Sequence, residues 1–402
     1  MTEIELSYTW SNDDPTFAAL VEEFSQQYGI KVRLRRLEWA TAWIDLYTAV
    51  SNGQGPDVSN IGSTWVSTLA KLDALRPFKP AEVAEMGGES AFAAPIWEST
   101  KLVGDLRIWS IPWISWMYVL CYRKDVLQQM GIDPSKAFAT PQAVQDTLAA
   151  LKTSPLEIPW LNPEIVPPYT EFIHTAASWV WATGAEFVNS ASNKALFANP
   201  DTISGLTYWL NTYRAVPEPY QLLSTEACVD LFMQGRAAAT LIHIQAANTM
   251  LGADFTHFKA ENIGFSNLTN IPWSGGNRFI VWDHTRIHPE RERAAVELVK
   301  FMTTKAAGLR WMKNENLLPT RMDALDESYP PGHPLRETVM LAARHGRGYP
   351  NVPHWRRIET QLCLELGEVV KEARKNPAAD SATILRTHLE PLARRLNIIL
   401  EK

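Results

Sequence analysis

Cysteine is scarce in this chain: Cys121, Cys228 and Cys363 are the three among 402 residues. They are odd in number, far apart and each set among apolar neighbours. That excludes a disulfide framework and any paired redox or zinc-finger spacing, and predicts buried free thiols. Long apolar runs are missing too. A membrane span needs about 18 or more unbroken apolar residues. The richest stretch, 101–130, is interrupted by Lys101, Asp105, Arg107 and Arg123, and again by Ser110, Pro112 and Ser115. No block of one charge sign stands out, because the net charge of −6 comes from mixed signs along the chain; a nucleic-acid footprint is excluded. Internal repeats and low-complexity tracts are absent. Gly275-Gly276 lacks the lysine of a phosphate-binding loop and the Rossmann spacing, so a close backbone approach to a ligand or a hinge suits the pair better. His284 and His288 share a ligand-like spacing, but Pro289 follows at once and the segment reads as loop. Neither a metal nor a cofactor is expected. Asn267-Leu268-Thr269 is a glycosylation sequon by pattern alone.

Tryptophan is what the chain has in excess, with 16. Trp109, Trp113 and Trp116 stand around Pro112, and a β-prone segment follows at 118–122. The pattern predicts two strands with a proline-directed crossing between them. An indole offers apolar faces and one N–H, which suits a ligand with apolar faces and hydroxyl edges. Trp109 reads as core and Trp116 as a platform: in an extended run Trp116 shares a face with Ile114 and Tyr118, opposite Trp113 and Ser115. A chain of this length is too long for one comfortable core and predicts two lobes.

Taken in order, residues 3–10 read as a strand and 10–14 as a polar loop. Asp14 is a plausible N-cap, with Pro15 at the first helical position. Phe17, Leu20, Val21 and Phe24 recur at helical spacing until Gly29 stops the helix. Val32 and Leu34 mark a second strand; Trp43, Leu46, Tyr47 and Val50 a second helix. A third strand starts at Val58, after the turn holding Asp57, and the loop 60–65 follows. This βαβαβ alternation implies a parallel sheet with helices on both faces, and ligands of such sheets bind beyond the strands' carboxyl ends. Trp10, Asn12, Asp13, Trp39, Asn60, Ser63, Thr64 and Trp65 fall there, with Trp43 close by. Further on, Thr140-Pro141 opens a helix to Leu151, and residues 155–169 read as proline-rich loop. Residues 170–182 form a helix with His174, Ser178, Trp179 and Trp181; Trp179 and Trp181 diverge on it, so at most one faces a ligand. More helices follow at 200–213 and 229–235, then a strand at 237–244, a turn at 271–277 and a strand at 279–282. Pro289 opens a helix burying Ala294, Ala295, Leu298 and Met302. Trp209, Trp282 and Trp311 read as packing.

With these segments in order, the chain resembles the extracellular solute-binding proteins of ABC importers, in particular the sugar-binding group that includes maltodextrin-binding protein. The landmarks are GQGPDV at 53–58, IPW from Ile111 with VLCYRKDVLQQMGID behind it, and FMQGRAAATLI from Phe232. SGGN at Ser274, HPERERAAVELVKFMTTKAAGLRWM from His288 and YPNVPHW from Tyr349 continue the series. The resemblance covers nearly the whole chain and implies an α/β, two-lobed periplasmic-binding-protein fold, each lobe a mainly parallel sheet flanked by helices, joined by a multi-segment hinge. It implies an N-terminal lobe of 1–113 and 272–314, a C-terminal lobe of 114–271 and 315–402, and a hinge near 110–116, 268–274 and 312–318. It also implies closure on a ligand held between the lobes.

Position by position, the resemblance adds a ligand role for the loop at Asn12 and Asp13 and for the loop 60–65. Trp116 stands where the maltodextrin binder has an acidic residue, which exchanges polar recognition for stacking. His243 replaces a common glycine, and Gln245 falls on a contact position. His354 and Trp355 match a ligand-facing helix start. Trp113, His174, Trp179, Trp273, Ser274, Gly275 and Gly276 complete the candidate ligand set. The implied function is reversible binding of a mono- or oligosaccharide and delivery to the membrane permease of an ABC transporter, without catalysis. The implied protein is a bacterial monomer, periplasmic or extracellular, either free or lipid-anchored through a removed N-terminal segment. The alternatives are a glycan hydrolase, which needs two carboxylates facing a sugar, and a binder of a polyol or peptide. No two acids pair at the predicted strand ends, so a binder is expected.

Overall fold

A computed structural model describes residues 2–9, 15–167, 171–191 and 194–400. The chain forms two compact units: Met1–Trp116, Ser274–Pro330 and Gly348–Arg356 make the first, and Met117–Trp273, Pro331–Arg347 and Arg357–Lys402 the second. Residues 315–330 and 348–356 thus pack with the first unit, where the expected partition put them in the second lobe. The strands are β1 (Glu3–Tyr8), β2 (Lys31–Arg36), β3 (Val58–Gly62), β4 (Leu75–Arg76), β5 (Ile111–Trp116) and β6 (Tyr118–Arg123). They continue with β7 (Val188–Asn189), β8 (Lys194–Ala195), β9 (Ala239–His243), β10 (Ile263–Ser266), β11 (Gly275–Trp282) and β12 (Leu318–Pro319).

The first unit is built on one sheet in the order β12-β5-β11-β3-β1-β2, with β4 also paired to β11. β1 runs parallel to β2 and β3, in register Leu6 to Leu34 and Leu6 to Val58. β11 enters antiparallel between β3 and β5, so parallel pairing is confined to the βαβαβ segment that foretold it. Successive residues of β11 point to opposite faces, and the packing follows. Phe279 joins a core with Leu6, Phe17, Phe24, Trp113 and Trp311, while Ile280 and Trp282 join another with Leu46, Ile61, Trp65 and Trp109. The helix Pro15–Tyr28 buries Phe17, Leu20, Val21 and Phe24, the four residues its periodicity picked out. The helix Trp39–Ser51 buries only Ala42 and Leu46 and leaves Ile44 and Tyr47 to solvent. Asp57 is structural: its Oδ2 accepts from the Glu5 backbone N–H at 2.7 Å and from Arg291 at 2.8 Å. That ties β1, the entry to β3 and the helix Pro289–Met302 together.

Two local expectations fail here. Pro112 directs no crossing but lies inside β5, opposite Arg278. Proline has no N–H for the ladder, and the β5–β11 register slips between Asn277 and Arg278. Gly275-Gly276 is not a turn but the start of β11. Gly276 has φ +144°, and a Cβ there would lie 1.9 Å from the Ile114 carbonyl oxygen. Its close approach is to the neighbouring strand β5, rather than to the expected ligand or hinge.

The second unit holds an antiparallel sheet, β10-β6-β9, and the β7–β8 pair. The helix Pro141–Leu151 begins as expected, with the Thr140 hydroxyl accepting from the Ala143 N–H at 3.1 Å. The helix Ser381–Leu400 is held to the helix Trp355–Lys375 by His388, whose ring nitrogens each lie 2.7 Å from a carboxylate, Glu365 and Glu372. Asn267 of the sequon is buried and donates to the Thr338 carbonyl at 2.9 Å, so its amide is not presented for modification. The three cysteines are buried and free, and burial pushes the Cys228 thiol up to about 12. Among the described residues no helix is long and apolar enough to cross a membrane.

Candidate functional site

In the first unit the strand ends carry an aromatic patch. β2 ends at Arg36, and Trp39 opens the next helix; β3 ends at Gly62, and Ser63, Thr64 and Trp65 form a 3-10 turn directly after it. Trp39 stacks on Trp65 with ring centroids 5.0 Å apart and planes 27° apart. Gly62 makes room for this, since a Cβ there would come within 3.0 Å of the Trp39 ring. Trp43 meets Trp65 edge-on at 5.6 Å, and the Arg356 guanidinium lies 5.9 Å from Trp43 and 5.8 Å from Trp65. Trp65 is buried, whereas Trp39 is 43% exposed. Thus one indole forms the floor and another stays open above it. Ser63 and Thr64 are half-buried at its side. Arg356 and Tyr47, which is also exposed, were missed in the sequence; a lone cation and a helix aromatic give no local sign that a tryptophan cluster lies nearby.

The remaining candidates of this unit play other parts. Trp10, Asn12 and Asp13 lie outside the described residues. Asn60 is not in a loop: it is buried in β3 and accepts from the Asn277 side chain at 3.0 Å, joining β3 to β11. Trp113 is a core residue rather than a platform. It is 2% exposed, stacked on Trp311 at 4.4 Å and packed on Phe279 at 4.7 Å. Trp116 ends β5 half-buried, opposite Gly275, and rests on the same core. Ser274 and Gly275 are buried at the sheet. His354 is exposed, but Trp355 is buried and stacks on Tyr349 at 4.6 Å, so it too is packing.

In the second unit several predicted residues meet. His174, one turn into the helix Glu171–Ala182, stacks on Trp273 at 4.1 Å with planes 16° apart. Tyr118, which begins β6, lies 6.1 Å from Trp273 and donates its hydroxyl to Glu171. Across the β6–β9 ladder Tyr118 is the register partner of His243. His243 is the N-cap of the helix Ile244–Leu251, its Nδ1 accepting from the Ala246 N–H at 3.3 Å. Gln245 sits half-buried in that helix's first turn. Burial holds the His243 imidazole below its ordinary pKa, while the carboxylates of Glu171 and Glu226 pull the other way. Trp179 is excluded from this surface because it is buried, as is Trp181, over which Arg347 lies at 5.0 Å. Tyr118 and Glu171 were not singled out from the sequence. The signal was present: Glu171 and His174 are three apart on one helix and so share a face.

Chemically, the first surface offers an open ring beside two hydroxyls and a guanidinium, and the second a half-buried imidazole lying on buried Trp273 beside a phenol and a carboxylate; rings edged by polar groups suit non-covalent recognition of a polyhydroxylated molecule. Among the described residues no three His, Cys, Asp or Glu are grouped so as to hold a metal ion.

Comparison with known proteins follows the same line. A family described as bacterial extracellular solute-binding protein matches residues 19–334. No curated protein sequence matches the chain. Among solved structures, the chain is similar to the sugar-binding protein MalE of Xanthomonas citri, with a TM-score of 0.79 at 19% identity over 99% of this chain and 97% of that one. An ABC transporter solute-binding protein from Thermotoga lettingae, bound with α-D-tagatose, gives 0.72 at 17% identity over 100% of both chains. Maltose-bound MalE3 of T. maritima gives 0.72 at 20% identity over 98% of this chain and all 100% of its own. The likeness at these identities is one of fold, the two-lobed α/β fold of the solute-binding proteins.

Proposed function

The chain belongs to the bacterial extracellular solute-binding protein family, and from that premise we propose that its solute is a carbohydrate, a mono- or oligosaccharide bound reversibly and passed to the permease of an ABC transporter. The observation that carries this reading is the open Trp39 ring stacked on buried Trp65 at the carboxyl ends of the parallel strands. A pyranose sets its C–H face on such a ring and turns its hydroxyls outward. In this reading the half-buried Ser63 and Thr64 supply hydroxyls to pair with them, since a polar group stripped of water needs a new partner. On the second unit, half-buried His174 lies on buried Trp273 beside Tyr118, whose hydroxyl is on Glu171, and Gln245 follows Tyr118's register partner His243 in the next helix. The fold-level likeness to proteins whose structures hold tagatose and maltose points the same way.

The protein in this reading is a monomer outside the cytoplasmic membrane that binds without turnover. Calorimetry against a panel of mono- and oligosaccharides, with chromatography of the recovered ligand, tests it. Saturable binding with the sugar recovered intact is expected. Cleavage of any glycan would turn the reading toward a hydrolase, and failure of every sugar to bind would turn it toward a polyol or peptide.

A further inference from the structure

His243 holds two places at once. It ends β9 as the register partner of Tyr118, and it caps the helix Ile244–Leu251 through Nδ1, which accepts the Ala246 N–H. A neutral imidazole whose Nδ1 accepts must carry its proton on Nε2. A second proton would turn Nδ1 into a donor facing another donor, and the cap would be lost. The residue that the cap steadies is Gln245, one position before Ala246 in the first turn. The same turn is anchored on its other side by the Ile244 N–H donating to the Met117 carbonyl.

Among the described residues, the charged groups acting on His243 are two carboxylates: Glu171, at the start of the helix Glu171–Ala182, and Glu226, in the first turn of the helix Thr225–Met233. Tyr118, opposite on β6, has its hydroxyl on Glu171. The helix Ile244–Leu251 carries no titratable side chain. The two carboxylates favour an imidazolium electrostatically, whereas burial and the cap bond both favour the neutral ring.

We propose that His243 is a positioning residue for the ligand: neutral, it pins the turn that presents Gln245, and protonated, it releases that turn, so that the grip on ligand weakens as the medium acidifies. This rests on the reading of Gln245 as a ligand contact within the carbohydrate site. The effect expected is a loss of affinity of about 2- to 30-fold between the neutral and protonated forms, the range spanned by losing a helix N-cap. Burial sets the midpoint below the ordinary histidine value of about 6.5.

The test uses the full chain, wild type and His243→Asn, because asparagine caps a helix without titrating. Nitrogen NMR of the imidazole and exchange of the Ala246 amide, corrected for intrinsic rate, are followed from about pH 7.5 down to about pH 5 in the ligand-free protein. The wild type is expected to hold its proton on Nε2 and to lose Ala246 protection as His243 titrates, while the variant's protection stays level. Protection that ignores pH in the wild type, or falls equally in both, overturns the proposal. Affinity for whichever sugar binds at about pH 7.5 is then measured over the same range. A wild-type affinity that declines with His243 titration, against a flat profile in the variant whatever its own level, supports the coupling; parallel profiles overturn it. Should no sugar bind, the carbohydrate reading fails by itself, and the exchange measurement, which needs no ligand, still decides whether His243 holds the turn.

Discussion

Replacing Trp39 by alanine removes the open ring of the Trp39–Trp65 stack and leaves its buried floor in place. In the free protein the ring contributes one aromatic contact, ~0.5–1.5 kcal/mol, together with packing of its covered part. A fully buried tryptophan costs ~3–5 kcal/mol on truncation, so a ring that is 43% exposed should cost roughly half of that, about 2 kcal/mol. For a unit of about 150–250 residues this lowers Tm by roughly 4–8 °C. The effect on ligand is of another kind. A sugar face loses its platform, and by analogy with base stacking on aromatic side chains the loss is ~1–3 kcal/mol, or about 5- to 150-fold in Kd. Calorimetry and scanning calorimetry on one preparation read both numbers. Trp113→Ala supplies the contrast: that ring is 2% exposed between Trp311 and Phe279. It should lose ~3–5 kcal/mol of stability while the folded fraction binds nearly as before. A Trp39→Ala protein that binds each sugar like the wild type, or melts as early as Trp113→Ala, would sink the platform argument.

Two further outcomes are expected. Gly276→Ala should destabilise by about 3 kcal/mol or more, because the added Cβ meets the Ile114 carbonyl oxygen at 1.9 Å with φ at +144°; a wild-type midpoint in denaturant would show that the strands can part there. The His388 clamp should contribute most in acid. Burial pulls its pKa down, but the bonds to Glu372 and Glu365 outweigh that and leave it raised. A raised folded value means that the contribution is complete below the unfolded value of about 6.5 and is lost as pH rises through the folded one. The Tm gap between wild type and His388→Gln should therefore be wider at about pH 5.5 than at about pH 8.5, and a gap that grows with pH would contradict the clamp.

Much of the frame was legible because it is written locally. Phe17, Leu20, Val21 and Phe24 repeat at helical spacing and form the buried stripe. Thr140-Pro141 carries the chemistry of a helix start and makes one. The βαβαβ alternation gave the parallel pairing of β1 with β2 and β3. His243 escaped notice as a cap because histidine is not among the residues that favour that position, and its role depends on where β9 stops.

The sequence by itself determined the helices, the first strands and the class of chemistry that sixteen indoles among hydroxyls and amides can serve. Which of those indoles meet solvent was decided by tertiary structure alone. Trp113 and Trp39 have the same side chain. Yet β11, which enters beside β5 from more than 150 residues away in sequence, closes over Trp113, while among the described residues of the first unit nothing closes over Trp39 to the same degree. Gly-Gly reads as a turn until Trp116 and Ser115 lie across from it, and Pro112 reads as a break until β5 runs through it. Periodicity reports what lies within a few residues along the chain. Burial is a property of the strand pairings that long loops bring together, and the closing contact is not encoded near the residue it covers.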